Sequence, residues 1–133
     1  YASKSAGVSC TGIGEYITGA LSEVGIPLLL SAWLIAAIVR IAQGSATAAM
    51  LTTAGIMAPQ VPSLSVHPAF LVMAIGAGGN IFSWYNDSGF WLVKEIGGLT
   101  QEETLMTWTA LTTIISVTGI TVTMTLATVM NAL

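Results

Sequence analysis

The last thirty residues of the chain, 104–133, carry no charged side chain. A helix of that length reaches about 45 Å, and about 20 apolar residues suffice to cross the roughly 30 Å hydrocarbon core of a bilayer. The segment is rich in threonine, whose hydroxyl can bond to a carbonyl of the preceding helical turn and therefore needs no water. We predict a transmembrane helix over 104–131.

The beginning of this helix carries two recognisable features. Thr100 is followed three residues later by Glu103, which is the spacing of a capping box ahead of an apolar run. Trp108 follows near the start of the apolar run, where an aromatic side chain is expected at the membrane interface.

The composition of the whole chain also indicates a membrane protein. Of its 133 residues, 54% are apolar and 7% are charged, whereas a soluble domain has about 25% charged residues. Three basic residues cannot form a stripe along nucleic-acid phosphates, and one cysteine and one histidine cannot build a disulfide framework or a zinc site. We predict an all-α, polytopic membrane protein with no metal, no cofactor and no nucleic-acid partner.

Two short apolar segments flank a polar tip in the first half of the chain. Residues 26–42 are apolar apart from Ser31 and Arg40, and a second helical stretch, residues 48–58, ends before Pro59. Both are short for a full crossing, so we predict a re-entrant hairpin over 28–57 with its tip at 43–47. Such a tip is tolerated at membrane depth only where it lines a cavity.

An amphipathic helix is predicted upstream, over residues 13–24. Apolar residues recur there at spacings of three and four, while Glu15 and Glu23 occupy the opposite face. Gly25 and Pro27 follow the pattern and would end the helix.

A third unusual segment is the apolar stretch 69–97, which is interrupted by Asn86-Asp87-Ser88-Gly89 between aromatic residues. A polar, glycine-containing break between two apolar half-helices is typical of the discontinuous helices that form binding sites in secondary transporters. We predict a broken transmembrane helix over 69–97.

Arg40 is the first candidate site residue. A cation within an apolar span costs about 2.5–3.5 kcal/mol on insertion scales. It can compensate an anion such as a substrate carboxylate, with the tip residues 43–47 offering hydroxyls, an amide and free N–H groups. Alternatively, Arg40 ends its helix and extends to the lipid headgroups. The sequence leaves both interpretations open.

Asp87 is the second candidate. An acid flanked by apolar helices indicates a functional site, in which Asp87 would carry a proton or a coupling cation, with Asn86 and Ser88 as oxygen ligands. Asn-Asp-Ser-Gly is also favourable turn chemistry, so a surface turn is the alternative. Lys94 and Glu95 are expected to be interfacial charges, and His67 a loop residue.

Two long motifs resemble the C-terminal part of the gluconate permease family, which comprises gluconate:proton symporters within the wider ion transporter superfamily. They are RIAQGSATAAMLTTAGIMAP (40–59) and NDSGFWLVKEIGGLTQEETLMTWTALTTIIS (86–116). The resemblance is strong through 40–133 and weaker before it. It implies that the chain is the last third of a permease, within one of two inverted repeats.

The resemblance also implies a binding site. The matched positions predict substrate contacts and proton coupling by Asp87; the substrate-binding candidates are Arg40, Gln43, Gly44, Ser45, Thr47, Asn86 and Ser88. The family pattern Ser-His-(Ile/Val)-Asn-Asp-Ser-Gly begins here with Ser83, but Trp84 replaces its histidine and Tyr85 its aliphatic residue.

The resulting expectation is proton symport of gluconate or a related small organic acid by a multi-pass protein of the inner membrane. Its partners would be the substrate, protons, the lipid bilayer, and the rest of the permease chain or a second copy. A non-transporting accessory or channel-like subunit and a truncated permease product are the alternatives. A membrane-embedded enzyme is not expected, because the sequence offers no paired acid and base.

Overall fold

A computed structural model describes residues 27–132 of the chain, together with Tyr16 and Gly19. The amphipathic helix predicted over 13–24 therefore lies, apart from those two residues, outside the described part. The described part is helical and contains no strand; its helices are α1 (Leu28–Gln43), α2 (Ala46–Met57), α3 (Pro68–Gly79), α4 (Ser88–Gly97) and α5 (Gln101–Ala132), with a 3-10 helix (Ala58–Ser63) between α2 and α3. The predicted all-α class is confirmed.

Helices α1 and α2 form a helical hairpin, and they pack against each other. Only Gly44 and Ser45 separate them. Gly44 ends α1 in the left-handed conformation, with φ of 76°, which glycine adopts without steric cost. Ser45 begins α2, and its hydroxyl accepts a hydrogen bond from the Ala48 N–H at 3.3 Å. The predicted turn position agrees with the structure, and the re-entrance of this hairpin into a membrane remains a prediction.

The interruption between α3 and α4 is longer than the sequence suggested. His67 accepts a hydrogen bond from the Ala69 N–H at the start of α3, and α3 ends at Gly79. Helical structure resumes at Ser88, with Asp87 as the N-cap. The apolar run to Ser83 is thus not helical to its end, because the backbone leaves the helix after Gly79 and reaches a positive φ of 48° at Phe82.

Helix α3 lies at the centre of the packing, in contact with α1, α2 and α5. A β-carbon on Gly78 would lie 2.4 Å from the Trp33 carbonyl oxygen, so the backbones of α3 and α1 approach closely. Glycine permits this approach because it has no side chain. The surrounding core is apolar and is formed by Leu29, Ala32, Ile35, Ala36, Ile56, Met57, Phe70, Leu71, Ala74, Ile75, Ile120 and Ala127.

Helix α5 has 32 residues and is long and apolar enough to cross a membrane. Its first turn contains the predicted capping box: the Thr100 hydroxyl accepts from the Glu103 N–H, and the Glu103 carboxylate accepts from the Thr100 N–H at 2.8 Å. Its threonines bond back to the helix as expected, for example Thr121 to the Val117 carbonyl at 2.7 Å. A π-helical turn occupies Leu105–Thr109.

Candidate functional site

Arg40 and Asp87 form an ion pair between the end of α1 and the start of α4. The Arg40 Nη2 donates a hydrogen bond to the Asp87 Oδ2, and the two side chains are 4% and 13% exposed. The structure therefore turns the guanidinium into the protein, which argues against its extension to lipid headgroups. The pair joins the two segments that the sequence singled out.

A second contact fixes the Arg40 side chain. Its Nη1 donates to the carbonyl oxygen of Gly44, just beyond the end of α1. A cation is favoured there because the last carbonyls of a helix carry a partial negative charge. The buried Nε of Arg40 has no hydrogen-bond partner among the described residues, so the Nε–H of the guanidinium is unused.

Asp87 accepts hydrogen bonds from three sources. Its Oδ2 accepts hydrogen bonds from Arg40 and from the hydroxyl of Ser83. Its Oδ1 accepts one from the Gly89 N–H at 3.0 Å. The last bond makes Asp87 the N-cap of α4, as the turn chemistry of Asn-Asp-Ser-Gly suggested. Asp87 is thus both a helix cap and the partner of a buried cation, and the two interpretations of this residue are compatible.

Asn86 caps the end of α1. Its Nδ2 donates to the carbonyl of Ile41 at 2.8 Å and to that of Ala42 at 3.4 Å, and the Trp84 indole N–H donates to Ile41 at 3.3 Å. These carbonyls belong to the last turn of a helix and lack partners within it. The Asn86 amide N–H groups are therefore engaged with backbone.

The sequence predicts no role for Ser83 beyond its place in the family pattern, and an interfacial position for Trp108. The Trp108 indole N–H donates to the Ser83 Oγ at 2.8 Å, so this half-buried tryptophan contacts the site, and its position at a membrane interface remains a prediction. The Ser83 N–H donates to Thr112 at 3.2 Å, and the Ser83 carbonyl accepts from Thr109. The position of Ser83 four residues before Asp87, within the family pattern, was the available indication.

The other candidate residues lie close in sequence to Arg40 or Asp87, and most of them are exposed. Gly44 is buried, whereas the exposed candidates are Gln43, Ser45, Thr47, Asn86 and Ser88. The structure thus brings Arg40, Gly44, Asn86 and Asp87 together and leaves the remaining polar candidates at the surface of the described part. Lys94 and Glu95 pair with each other at 2.8 Å, with Glu95 72% exposed, and their position at a membrane interface remains a prediction.

A profile described as GntP family permease matches residues 6–130. The chain belongs to this family. The family resemblance inferred from the two motifs is therefore confirmed. Because its members are permeases, the expectation that the protein is not an enzyme is confirmed as well.

Individual relatives in the GntP family include named transporters. The chain is 49% identical over 110 residues to the high-affinity gluconate transporter of Escherichia coli (strain K12), covering 83% of this chain and 25% of that protein. It is 47% identical over 109 residues to the gluconate permease of Bacillus subtilis (strain 168), covering 82% and 24%. It is 46% identical over 110 residues to the Gnt-II system L-idonate transporter of Escherichia coli (strain K12), covering 83% and 25%.

The chain spans about a quarter of the length of these relatives. No solved structure matches it. Within the described part of this GntP chain, no group of three or more His, Cys, Asp or Glu side chains could hold a metal ion.

Proposed function

We propose that the permease containing this chain is a secondary active transporter that moves gluconate or a related small organic acid together with protons across the inner membrane. In this proposal Arg40 binds the substrate carboxylate and Asp87 carries the proton. The remaining substrate contacts come from Gln43, Gly44, Ser45, Thr47, Asn86 and Ser88. The rest of the permease chain or a second copy completes the site.

The Arg40–Asp87 pair, in which Arg40 is buried and Asp87 is 13% exposed, is the observation that carries the proposal. Burying two opposite charges costs desolvation energy that their attraction only partly offsets. Ionisable groups inside apolar segments are therefore expected where a transport mechanism uses them. Here the pair lies where a hairpin tip meets a helix break, the kind of place at which transporters bind substrates.

The geometry supports a simple coupling mechanism by exchange of carboxylates. In the structure the Arg40 guanidinium donates a hydrogen bond to the Asp87 carboxylate. The carboxylate of an organic acid can accept the same hydrogen bond. When the substrate carboxylate binds Arg40, it displaces Asp87 and leaves two carboxylates beside one cation. Asp87 then takes up a proton, because two neighbouring anions repel each other. One proton and one monovalent anion then bind together, with no change in net charge.

The proposed substrate class rests on the relatives. Two of them are named for gluconate and one for L-idonate. Both compounds are small polyhydroxy acids with one carboxylate, which matches a site that combines one guanidinium with several hydroxyl and amide groups.

The test uses the complete permease, purified and reconstituted into liposomes with an inwardly directed proton gradient. We expect wild type to accumulate labelled gluconate and Asp87→Asn to lose accumulation while it still exchanges gluconate across the membrane. Glu95→Gln is the matched control, because Glu95 is an exposed carboxylate beyond the site. Retained exchange shows that the variant is folded.

Two results would contradict the proposal. If Asp87→Asn still concentrates gluconate in a pH-dependent way, another group carries the proton. If wild type shows no flux that responds to the proton gradient, the permease is not a proton symporter.

A further inference from the structure

Ser83 connects helix α5 to the Asp87 carboxylate. Its Oγ accepts the Trp108 indole N–H at 2.8 Å and donates its own hydrogen to the Asp87 Oδ2. The indole N–H can only donate. The Trp108 bond therefore leaves the Ser83 hydroxyl hydrogen free to point at Asp87.

The backbone of Ser83 is held by the same helix. Its N–H donates to the Thr112 Oγ1 at 3.2 Å, and its carbonyl accepts from the Thr109 hydroxyl. Ser83 is 1% exposed, so these bonds are shielded from water. Trp108 and Thr109 lie within the π-helical turn Leu105–Thr109, and such turns occur frequently at functional sites.

Within residues 27–132, few charged groups lie near Asp87. Arg40 of α1 is its ion-pair partner. Helices α2 and α3 contain no charged residue, and α5 has none after Glu103. Glu103 is engaged by Thr100, and Lys94 and Glu95 of α4 pair with each other. A neutral hydrogen-bond donor can therefore have a large effect on the protonation of Asp87.

We propose that Ser83 and Trp108 are positioning residues of the coupling site: Trp108 orients the Ser83 hydroxyl, and the hydroxyl holds Asp87 ionised and in place on Arg40. This inference rests on the proposed role of Asp87 as proton carrier. Helix α5 then takes part in the protonation step, because it positions Ser83. Release of the hydrogen bond from Ser83 to Asp87 would favour proton uptake by Asp87. A hydrogen bond to the charged form of an acid favours that form.

The test measures the pH profile of proton-driven gluconate uptake by the complete permease. Ser83→Ala removes the hydroxyl, and uptake is expected to persist to higher pH. A hydrogen bond to a charged group is worth about 1.5–3 kcal/mol, which corresponds to a shift of about one pH unit or more. Trp108→Phe is expected to shift the profile in the same direction by less, because the hydroxyl remains but is no longer oriented.

Two controls make the result specific. Trp91→Phe also removes an indole hydrogen bond, from Trp91 to the Tyr85 carbonyl at 2.8 Å, and should leave the profile unchanged. Ser83→Thr keeps the hydroxyl and should show the wild-type pH profile. Gluconate exchange without a proton gradient reports whether each variant is folded.

The outcomes separate this inference from the proposed function. An upward shift in Ser83→Ala and Trp108→Phe, with exchange preserved, supports it. If the pH profiles of Ser83→Ala and Trp108→Phe match that of Trp91→Phe, or if both variants lose exchange, the inference is overturned and Ser83 and Trp108 have only a structural role. Absence of proton-driven uptake in wild type would overturn the proposed function, and this inference with it.

Discussion

Gly44, at the tip of the helical hairpin, lies directly against the backbone of Asn86 in the helix break. A β-carbon on Gly44 would fall 2.2 Å from the Asn86 carbonyl oxygen, and its φ of 76° is in the left-handed region. The Gly44 carbonyl also accepts a hydrogen bond from Arg40. The contact between tip and break therefore determines where the guanidinium meets Asp87.

Gly44→Ala should displace the tip from the break. The left-handed conformation costs an L-residue about 1–2 kcal/mol, and the added methyl has no space beside Asn86. We expect a lower melting temperature and at least a roughly tenfold loss of gluconate uptake in the complete permease. Gly55→Ala is the control, since a β-carbon there meets no described residue within 4 Å and alanine favours the helix by about 1 kcal/mol. Wild-type uptake in Gly44→Ala would contradict the assigned contact.

Arg40→Lys tests whether the site requires a guanidinium. Arg40 contacts Gly44 and Asp87 through two different nitrogens, whereas a lysine ammonium offers one charge centre without a planar fork. We expect the KM for gluconate to rise about tenfold or more, measured by initial rates in liposomes. Lys94→Arg, at a surface charge, should leave the KM unchanged. Unaltered kinetics in Arg40→Lys would show that substrate does not depend on the guanidinium.

Gly78→Ala tests the close approach of α3 and α1. A β-carbon on Gly78 would lie 2.4 Å from the Trp33 carbonyl oxygen and 2.8 Å from the β-carbon of Ala36. We expect the helices to separate and the protein to lose about 1–3 kcal/mol of stability, as in other overpacked cores. Thermal unfolding in detergent measures this loss. Gly76→Ala, where a β-carbon has no neighbour within 4 Å in the described part of the chain, should melt at or above the wild-type temperature. Equal melting of both variants would refute the prediction.

Cysteine labelling tests the prediction that the hairpin tip lines an aqueous cavity. In a Cys10→Ser background, cysteines at the exposed Ser45 and Thr47 should react with small water-soluble thiol reagents, and gluconate should slow the reaction. Thr53→Cys is the control for a buried site, because Thr53 is 0% exposed. Labelling that gluconate does not affect would place the tip outside the substrate path.

Several features of this protein follow from the sequence because they depend on residues within about four positions of each other. The Thr100–Glu103 capping box, the return bonds of the α5 threonines and the turn at Gly44 and Ser45 are of this kind. Hydrophobicity is likewise a local property, so the membrane class and the long helix could be predicted. The residue at which the helix break begins could not be predicted, because the backbone leaves α3 after Gly79, within an apolar run.

Tertiary packing alone decided the partners of the site residues. Arg40 and Asp87 are 47 positions apart, and Trp108 and Ser83 are 25 apart. Their contacts depend on how α1, α3 and α5 pack together, which spacing within one helix does not reveal. The sequence therefore left Arg40 with two interpretations and gave Trp108 an interfacial position. The structure directs both polar groups to partners in the helix break, because the packing of the helices brings the Asp87 carboxylate to Arg40 and the Ser83 hydroxyl to the Trp108 indole N–H.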